Sequence, residues 1–371
     1  MATYSQDILI VGGGITGVAL AYGLAGSGRR ITVLDRQTPT NRASRTNVGL
    51  IWVQSKFLHL PDYARWGFLS SRAYPELVAE LEAVSGLRIP VQFRGGLIPV
   101  LGEAEYRQRG DYIVKLRETL GEYRGDMIDR AALDALLPGI RFGREVTGAA
   151  WCEEDGVIEP LALLRAYRAA LPRKGVELVD RDVLDVRPRE GGGYQAITDN
   201  GIFEAETLVL AAGLANRRLA RFALNDVPLY PDMGQVLLVE RMPYVMPIPV
   251  LGATQTFGGT VIIGFRHENS GHRMSVEQKG VSGEGQWAMR VWPELADKRV
   301  IRSWVGLRVM PNDGMAIYSR LPGHANAYLI CTHSAVTLAA AHTRLLPPFL
   351  LGGELPETAR GMTLQRFGIA C

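Results

Sequence analysis

The strongest constraint on the fold is a glycine-rich turn that joins a short apolar strand to a helix near the N-terminus. Residues 7–11 read DILIV, a run typical of a buried parallel strand. Gly12, Gly14 and Gly17 then complete the pattern G-x-G-x-x-G, and helix-forming residues continue to Ala25. The order predicts a βαβ unit that begins a parallel sheet.

Each part of this unit has a physical task in holding a dinucleotide. Gly12 allows the tight turn, Gly14 lets the backbone approach a pyrophosphate, and Gly17 lets the helix lie close to the sheet. A second apolar run at 31–34 ends at Asp35, whose carboxylate can accept hydrogen bonds from a ribose diol. A lone motif of this kind is also compatible with a plain glycine-rich turn, but here strand, motif, helix, strand and acid occur in order. They predict dinucleotide binding and leave open which dinucleotide is bound.

Length and composition narrow the class of protein. The chain has 371 residues, enough for two domains or for one large domain with an insertion. Its net charge of +3 is spread over intermixed basic and acidic residues, so we expect no nucleic-acid partner. Cys152, Cys331 and Cys371 are far apart in the sequence, which argues against a metal site, an iron–sulfur cluster or a disulfide scaffold. We expect neither a transmembrane segment nor a leader, and we expect a cytoplasmic α/β protein.

Later segments carry further short motifs, each weak when taken alone. After a loop, A-S-R-T-N-V-G-L leads into a β-rich run that ends at Gln54, and D-G-V-I-E-P precedes a predicted helix at 160–171. Strands are predicted at 97–101, 176–179, 183–187, 207–210, 235–239, 260–264 and 328–331. The remaining motifs are A-A-G at 211–213, W-V-G-L-R at 304–308 with D-G at 313–314, and H-S-A-V-T at 333–337 before a small-residue helix at 338–346.

Taken in this order, the motifs resemble the FAD-dependent D-amino-acid oxidase superfamily, in its branch of glycine oxidases, sarcosine oxidases and bacterial amino-acid dehydrogenases. The run at 43–54 resembles the flavin subunits of opine oxidases and hydroxyproline dehydrogenases. The resemblance implies an α/β fold with a Rossmann-type FAD-binding domain and a discontinuous β-rich substrate domain. It assigns 1–75, 150–225 and 305–371 to the FAD domain, and 76–149 and 226–304 to the substrate domain. It also implies work in a heteromeric complex with other subunits.

The motif and the resemblance together predict the residues that contact FAD. They are Gly12, Gly14, Ile15, Thr16, Gly17, Asp35, Arg36, Ala43, Ser44, Asn47, Val48, Gly49, Leu50, Val183, Ala211, Ala212, Gly213, Ser334, Ala335, Val336 and Thr337. The resemblance places the loop from Ser44 to Leu50 at the pyrophosphate and flavin ring, and Val183 at the adenine. It places 334–337, at a helix start, near the flavin's pyrimidine end, where backbone N–H groups stabilise negative charge.

The sequence departs from the family pattern in two places. Ala335 stands where the family usually has glycine, and Met233 stands where it often has arginine. No cysteine occupies the family's covalent-flavin context, so we expect non-covalent FAD.

Five residues are candidates for contact with the substrate. Arg308 matches the arginine that fixes the substrate carboxylate in the glycine oxidase branch, and its planar fork suits that task; a surface ion pair is the alternative. Trp52 and Gln54 follow the presumed flavin loop, although Trp52 could equally be a core residue. His333 and His267 are placed to face flavin or substrate, or to serve structurally.

The resemblance implies dehydrogenation of the C–N bond of an N-substituted or secondary amino acid, such as an opine or a proline derivative. Three alternatives stay open at this point: a self-sufficient oxidase that forms hydrogen peroxide, a non-catalytic electron-relay or assembly subunit, and an NAD-linked reductase. No spacing of Ser, His and Asp, or of paired carboxylates, supports a hydrolase.

Overall fold

The structure, a computed structural model, describes residues 2–36, 42–55, 58, 60–264, 267 and 271–370. Its helices are α1 (Ile15–Leu24), α2 (Ala43–Thr46), α3 (Pro61–Ser85), α4 (Gly102–Leu120), α5 (Arg130–Leu136), α6 (Pro160–Arg173), α7 (Asn216–Leu219), α8 (Gln278–Val291), α9 (Ala339–Arg344) and α10 (Pro347–Leu350). Short 3₁₀ segments lie at Gly213–Ala215, Pro293–Asp297, Glu357–Met362 and Leu364–Phe367.

The strands of this part of the chain fall into four sheets. They are β1 (Thr3–Val11), β2 (Ile31–Leu34), β3 (Leu50–Ile51), β4 (Val91–Gln92), β5 (Gly96–Leu101), β6 (Gly125–Asp129), β7 (Val146–Cys152), β8 (Gly156–Ile158), β9 (Glu177–Val179), β10 (Val183–Pro188), β11 (Tyr194–Thr198), β12 (Gly201–Leu210), β13 (Leu229–Val239), β14 (Ala253–Gln255), β15 (Val261–Ile263), β16 (Val300–Pro311), β17 (Ile317–Leu321) and β18 (His324–Cys331).

The eight-stranded sheet is built around β1, whose last four residues are buried. Strands β9, β2, β1, β12 and β18 run parallel in that order. The hairpin β10–β11 pairs with the first half of β12, and β17 lies antiparallel to β18. The carboxyl ends of the parallel strands therefore meet at one edge, where α/β sheets of this kind bind their ligands.

Helices α1, α6 and α9 cover one face of this sheet. Helix α1 is apolar on almost every side and is buried accordingly between α6 and α9. Gly17 is needed for this packing, because a Cβ atom there would lie 1.8 Å from the carbonyl oxygen of Gly12. The close approach brings the N-terminus of α1 to the end of β1.

A four-stranded antiparallel sheet, in the order β14-β15-β13-β16, lies over the carboxyl edge of the large sheet. Its two long strands, β13 and β16, pair along nearly their whole length. A smaller sheet, β5-β7-β6, joins it through a bridge between Leu97 and Val250. The short sheet β3-β8-β4 connects this region to the loop after α2.

Several predicted boundaries differ from the observed ones. The predicted divisions at residues 75, 149 and 304 fall inside α3, β7 and β16, because each of these elements continues without a break across the division. The β-rich run predicted to end at Gln54 is a strand only over Leu50–Ile51. The sequence patterns did not indicate α4, α5 and α8, which lie within the part assigned to substrate binding.

Within the described residues, no helix is long and apolar enough to cross a membrane. Cys152 and Cys331 are buried and carry free thiols, whereas Cys371 lies outside the residues that the structure describes. In the same part of the chain, no three His, Cys, Asp or Glu side chains are grouped to hold a metal ion.

A buried hydrogen-bonded chain joins α3, β17 and α9 in the core. The indole N–H of Trp66 donates to the hydroxyl of Tyr318 (3.1 Å), which lies 2.9 Å from Nε2 of His342. Because indole can only donate, the Tyr318 hydroxyl accepts from Trp66 and donates to an unprotonated Nε2. Full burial lowers the pKa of His342 to about 3, so the ring is neutral in the folded protein.

This neutral histidine predicts a measurable loss of stability in acid. The unfolded chain takes up a proton near the ordinary pKa of 6.5 and the folded chain does not, so the stabilisation is complete above pH 6.5 and falls as pH falls. Between pH 6.5 and 5 this one group lowers the free energy of unfolding by about 1.5 kcal/mol. Denaturant titrations of His342→Gln should show a pH dependence that is weaker by this amount.

The matched control is His272→Gln, because His272 is exposed and should leave the pH dependence as in the wild type. An unchanged slope in His342→Gln would show that the histidine is not held neutral.

Candidate active site

Two adjoining cavities lie at the carboxyl ends of β1, β2, β12 and β18. The first has a volume of about 560 Å³ and the second about 500 Å³. They share the lining residues Ala43, Ser44, Leu307, Thr332 and Ala335, so they form one continuous site. The first cavity lies against the large sheet, and the second extends under the β13–β16 pair.

The first cavity is lined by most of the residues that the sequence assigned to the dinucleotide. Those lining it are Gly12, Gly14, Thr16, Asp35, Arg36, Ala43, Ser44, Val183, Ala211, Ala212, Gly213 and Ala335. Gly12 has a φ of +109°, and a Cβ atom there would lie 2.5 Å from the carbonyl oxygen of Ala211. Only glycine fits this turn after β1, which passes close to the residue that follows β12. Gly17 lies outside the cavity, on the helix behind it.

The carboxylate of Asp35 is held by two arginines that the sequence did not single out. Arg42 Nη1 lies 2.6 Å from Oδ1, and Arg168 Nη1 lies 3.3 Å from Oδ2. Arg168 also donates to the carbonyl oxygen of Gly13 at 3.2 Å, which ties α6 to the glycine turn. Asp35 thus lines the first cavity with its negative charge already balanced by these two arginines.

Cations outnumber anions around this cavity. Its charged lining residues are Arg36, Arg42, Arg45, Arg168, Arg181, Arg218, Asp35 and Asp182. An excess of guanidinium groups beside a helix N-terminus suits a diphosphate. Arginines that come together from distant parts of the chain leave no local sequence pattern, so only Arg36 was predicted.

The loop that separates the two cavities is held in shape by its own side chains. Ser44 Oγ accepts the N–H of Ile15 at 3.0 Å, which fixes α2 against the start of α1. The side chain of Asn47 accepts the N–H of Gly49 at 3.0 Å and donates to the carbonyl of Ala43 at 3.2 Å. These hydrogen bonds define the conformation of the loop between the two cavities.

The second cavity contains four of the five candidate substrate residues together with the rest of the predicted cofactor loop. The predicted residues that line it are Ile15, Ala43, Ser44, Asn47, Val48, Gly49, Leu50, Trp52, His267, Arg308, His333, Ser334, Ala335, Val336 and Thr337.

Segment 334–337 lines the cavity as a turn. Helix α9 begins at Ala339, one residue after the start of the helix predicted at 338–346, so 334–337 lead into it. Thr337 Oγ1 accepts the N–H of Trp52 at 3.1 Å and links this turn to the end of β3. The indole Nε1 of Trp52 is buried and has no hydrogen-bond partner among the described residues, which leaves one donor for a ligand.

Gln54 is not part of the cavity, contrary to the prediction. Its amide is fully buried and donates to Asp155 Oδ2 (2.6 Å) and to the carbonyl of Gly96 (3.1 Å). Arg109 donates to the backbone carbonyl of Gln54 at 2.9 Å. The buried carboxylate of Asp155 also accepts the N–H of Val53 at 2.5 Å, so it draws this segment inward, away from the cavity.

Arg308 lies on β16 directly opposite Asp232 on β13. Its Nη1 donates to Asp232 Oδ2 at 2.8 Å and to the carbonyl of Met233 at 3.2 Å. A Cβ atom at Gly234 would lie 2.6 Å from Nη2 of Arg308, so the absent side chain makes room for the guanidinium. The strand pairing thus fixes the arginine in the cavity wall.

The same carboxylate oxygen also holds His267. Nδ1 of His267 lies 2.7 Å from Asp232 Oδ2, and the ring lines the second cavity. His333 lies on the other side, with its ring centroid 6.0 Å from that of His267 and its Nδ1 3.1 Å from Ser334 Oγ. Burial raises the pKa of Asp232, but the hydrogen bond from His267 and the charge of Arg308 outweigh burial and lower it overall.

The sequence did not indicate Gly234, which lines the second cavity, or Asp232, which lies behind the wall and binds Arg308 and His267. Both lie in the predicted strand region next to Met233, but their importance depends on which residue of β16 faces them. The register of two strands about 75 residues apart is not readable from either strand alone.

The chain is similar in sequence and in fold to known proteins. Residues 7–346 match the family described as FAD dependent oxidoreductase. An opine oxidase subunit of Agrobacterium tumefaciens (strain Ach5) is 35% identical over 368 residues, and one of Rhizobium meliloti is 34% identical over 374, each match covering 98% of both chains. The crystal structure of glycine oxidase from Geobacillus kaustophilus superposes with a TM-score of 0.89 at 22% identity, covering 98% of this chain and 99% of that one.

The fold class predicted from the sequence is thereby confirmed, and so is FAD as the dinucleotide. With a family match over almost the whole length and relatives above 30% identity, the chain belongs to the family of FAD-dependent oxidoreductases.

Proposed function

We propose that this chain dehydrogenates the C–N bond of an N-substituted or secondary amino acid, such as an opine or a proline derivative. The observation that carries the proposal is the placement of Arg308 in the cavity that adjoins the dinucleotide cavity. Relatives named as an opine oxidase subunit support the substrate class.

The residues of the two cavities fit FAD. The glycine turn and the arginines of the first cavity suit the ADP half, and the second cavity offers room and an unpartnered indole N–H near its wall. We propose that the predicted residues from Gly12 to Thr337 that line the cavities hold FAD without a covalent bond. A bound FAD would supply the acceptor for the hydride that leaves the α-carbon of the substrate.

Arg308 would bind the substrate carboxylate. Its planar guanidinium can form two parallel charge-assisted hydrogen bonds with a carboxylate, which positions the α-carbon as well as binding the substrate. The hydrogen bonds to Asp232 and Met233 hold the guanidinium in one orientation before substrate arrives. Preorganisation of this kind lowers the cost of ordering the site on binding.

The subunit composition, the location and the domain boundaries of the enzyme are also proposals. We infer that the chain is the catalytic subunit of a heteromeric, cytoplasmic dehydrogenase, since its relatives are named as one subunit of opine oxidase. We further propose that 1–75, 150–225 and 305–371 form the FAD-binding domain and that 76–149 and 226–304 form the substrate domain.

Anaerobic reduction of the FAD-loaded protein tests the proposal. We expect the flavin band in the visible spectrum to bleach with opines or proline derivatives in preference to glycine and sarcosine. Bleaching by no member of this panel contradicts the proposal and favours a non-catalytic electron-relay or assembly subunit. Hydrogen peroxide formed in air by the isolated chain would instead identify a self-sufficient oxidase.

Arg308→Ala should raise the KM for the amino acid about 100-fold, because two charge-assisted hydrogen bonds to the carboxylate are lost. Steady-state kinetics measure this, with Arg302→Ala as the control, since Arg302 is exposed on the same strand. A KM within twofold of the wild type would refute the carboxylate assignment.

Gly234→Ala should raise KM in the same direction, because its methyl group would displace the Arg308 guanidinium. Gly285→Ala is the matched control, since a Cβ atom at Gly285 meets nothing within 4 Å.

A further inference from the structure

One carboxylate oxygen joins the two polar groups that face the substrate side of the second cavity. Asp232 Oδ2 lies 2.8 Å from Arg308 Nη1 and 2.7 Å from His267 Nδ1. These two nitrogens are therefore at most 5.5 Å apart, the sum of the two distances. The Asp232 side chain is almost fully buried, with 5% exposure, so the carboxylate that joins the two groups lies in the protein interior.

This hydrogen bond determines where the imidazole carries its proton. An ionised carboxylate can only accept hydrogen bonds, and the lowered pKa of Asp232 keeps it ionised. Nδ1 of His267 therefore carries the proton, and Nε2 of the neutral ring has a free lone pair. The ring lines the cavity and remains about half exposed, so a ligand and solvent can reach it.

The proposed reaction requires a base. An amino acid with a secondary amine is protonated at neutral pH, and a hydride cannot leave the α-carbon while the nitrogen lone pair is bound to a proton. In an α-amino acid the nitrogen is two bonds from the carboxylate carbon. A carboxylate on Arg308 therefore brings the nitrogen close to the neighbour that shares Asp232 with that arginine.

We propose that His267 is the base that takes a proton from the substrate ammonium group before hydride transfer, an assignment that rests on the proposed function. One N–H bond of the ammonium breaks, one N–H bond forms at Nε2, and the electron pair stays on the substrate nitrogen. No electrons are transferred in this step. His267 is then a catalytic residue and Asp232 a positioning residue.

The charges around His267 favour this transfer. The described groups that face it are Asp232, hydrogen-bonded to Nδ1, Arg308 across that carboxylate, and the ring of His333 at 6.0 Å. With neutral His267, the Asp232 and Arg308 charges cancel. When the proton moves to His267, the imidazole becomes positively charged next to Asp232 and the substrate carboxylate, and the substrate nitrogen becomes neutral. The net charge of the cavity therefore stays the same.

The test is the rate of anaerobic flavin reduction in the FAD-loaded protein from pH 6 to 10, with the best substrate of the panel. His267→Gln should slow reduction at pH 7 by about 100-fold or more. The defect should shrink as pH approaches the pKa of the substrate amine, because that amine then loses its proton to solvent. Substrate affinity should change only a few-fold, since Arg308 is retained.

Two further variants separate catalysis from structure. In His267→Ala, added imidazole should restore part of the rate, because the half-exposed position leaves space that imidazole can enter. Asp232→Asn should slow reduction and also weaken substrate binding, because both of its partners lose their anchor. His272→Gln, an exposed histidine, is the control, and flavin absorbance confirms that each variant is folded and loaded.

The results that would contradict the base assignment differ from those that would contradict the proposed function. A wild-type rate in His267→Gln at pH 7, or an equal loss at every pH without imidazole rescue, overturns the base assignment and leaves the proposed function standing. A pH-dependent loss in His333→Gln that matches the one expected for His267→Gln assigns the base to His333 instead. If no amino acid reduces the wild type, the proposed function fails, and the base assignment fails with it.

Discussion

The site depends on direct contact between the β16 strand and the loop that carries α2. A Cβ atom at Gly306 would lie 2.1 Å from Thr46 Oγ1, and the indole N–H of Trp304 donates to the carbonyl of Thr46 at 3.2 Å. Because β16 comes this close, Arg308, two residues farther along the strand, lies in the wall of the second cavity, which adjoins the dinucleotide cavity. A larger residue at 306 would push β16 away from α2.

Within that frame, Asp232 controls both the binding and the proposed proton chemistry. A buried carboxylate is costly unless it is paired, and here it is paired with a guanidinium on one side and an imidazole on the other. Removing either partner leaves the other pair intact. Removing Asp232 frees both, so we expect it to have a larger effect than its absence from the cavity lining suggests.

How far the sequence predicted this structure depends on whether each feature is local. The βαβ unit was predicted correctly because all of its parts lie within about thirty residues of sequence. Gly12, Gly17 and the flanking apolar runs form a pattern that can be recognised there. Arg308 was found through a family motif. Asp232 was missed because its role depends on the register of β13 with β16. Gln54 was misplaced because nothing nearby in the sequence shows that Asp155, a hundred residues on, binds its amide.

The most direct test of the proposed site is a crystal structure of the FAD-loaded protein with a bound, non-oxidisable analogue of an N-substituted amino acid. We expect the carboxylate of the analogue to pair with Arg308 and its nitrogen to lie about 2.7–3.2 Å from Nε2 of His267, a hydrogen-bonding distance. A carboxylate bound away from Arg308, or a nitrogen directed away from His267, would contradict it.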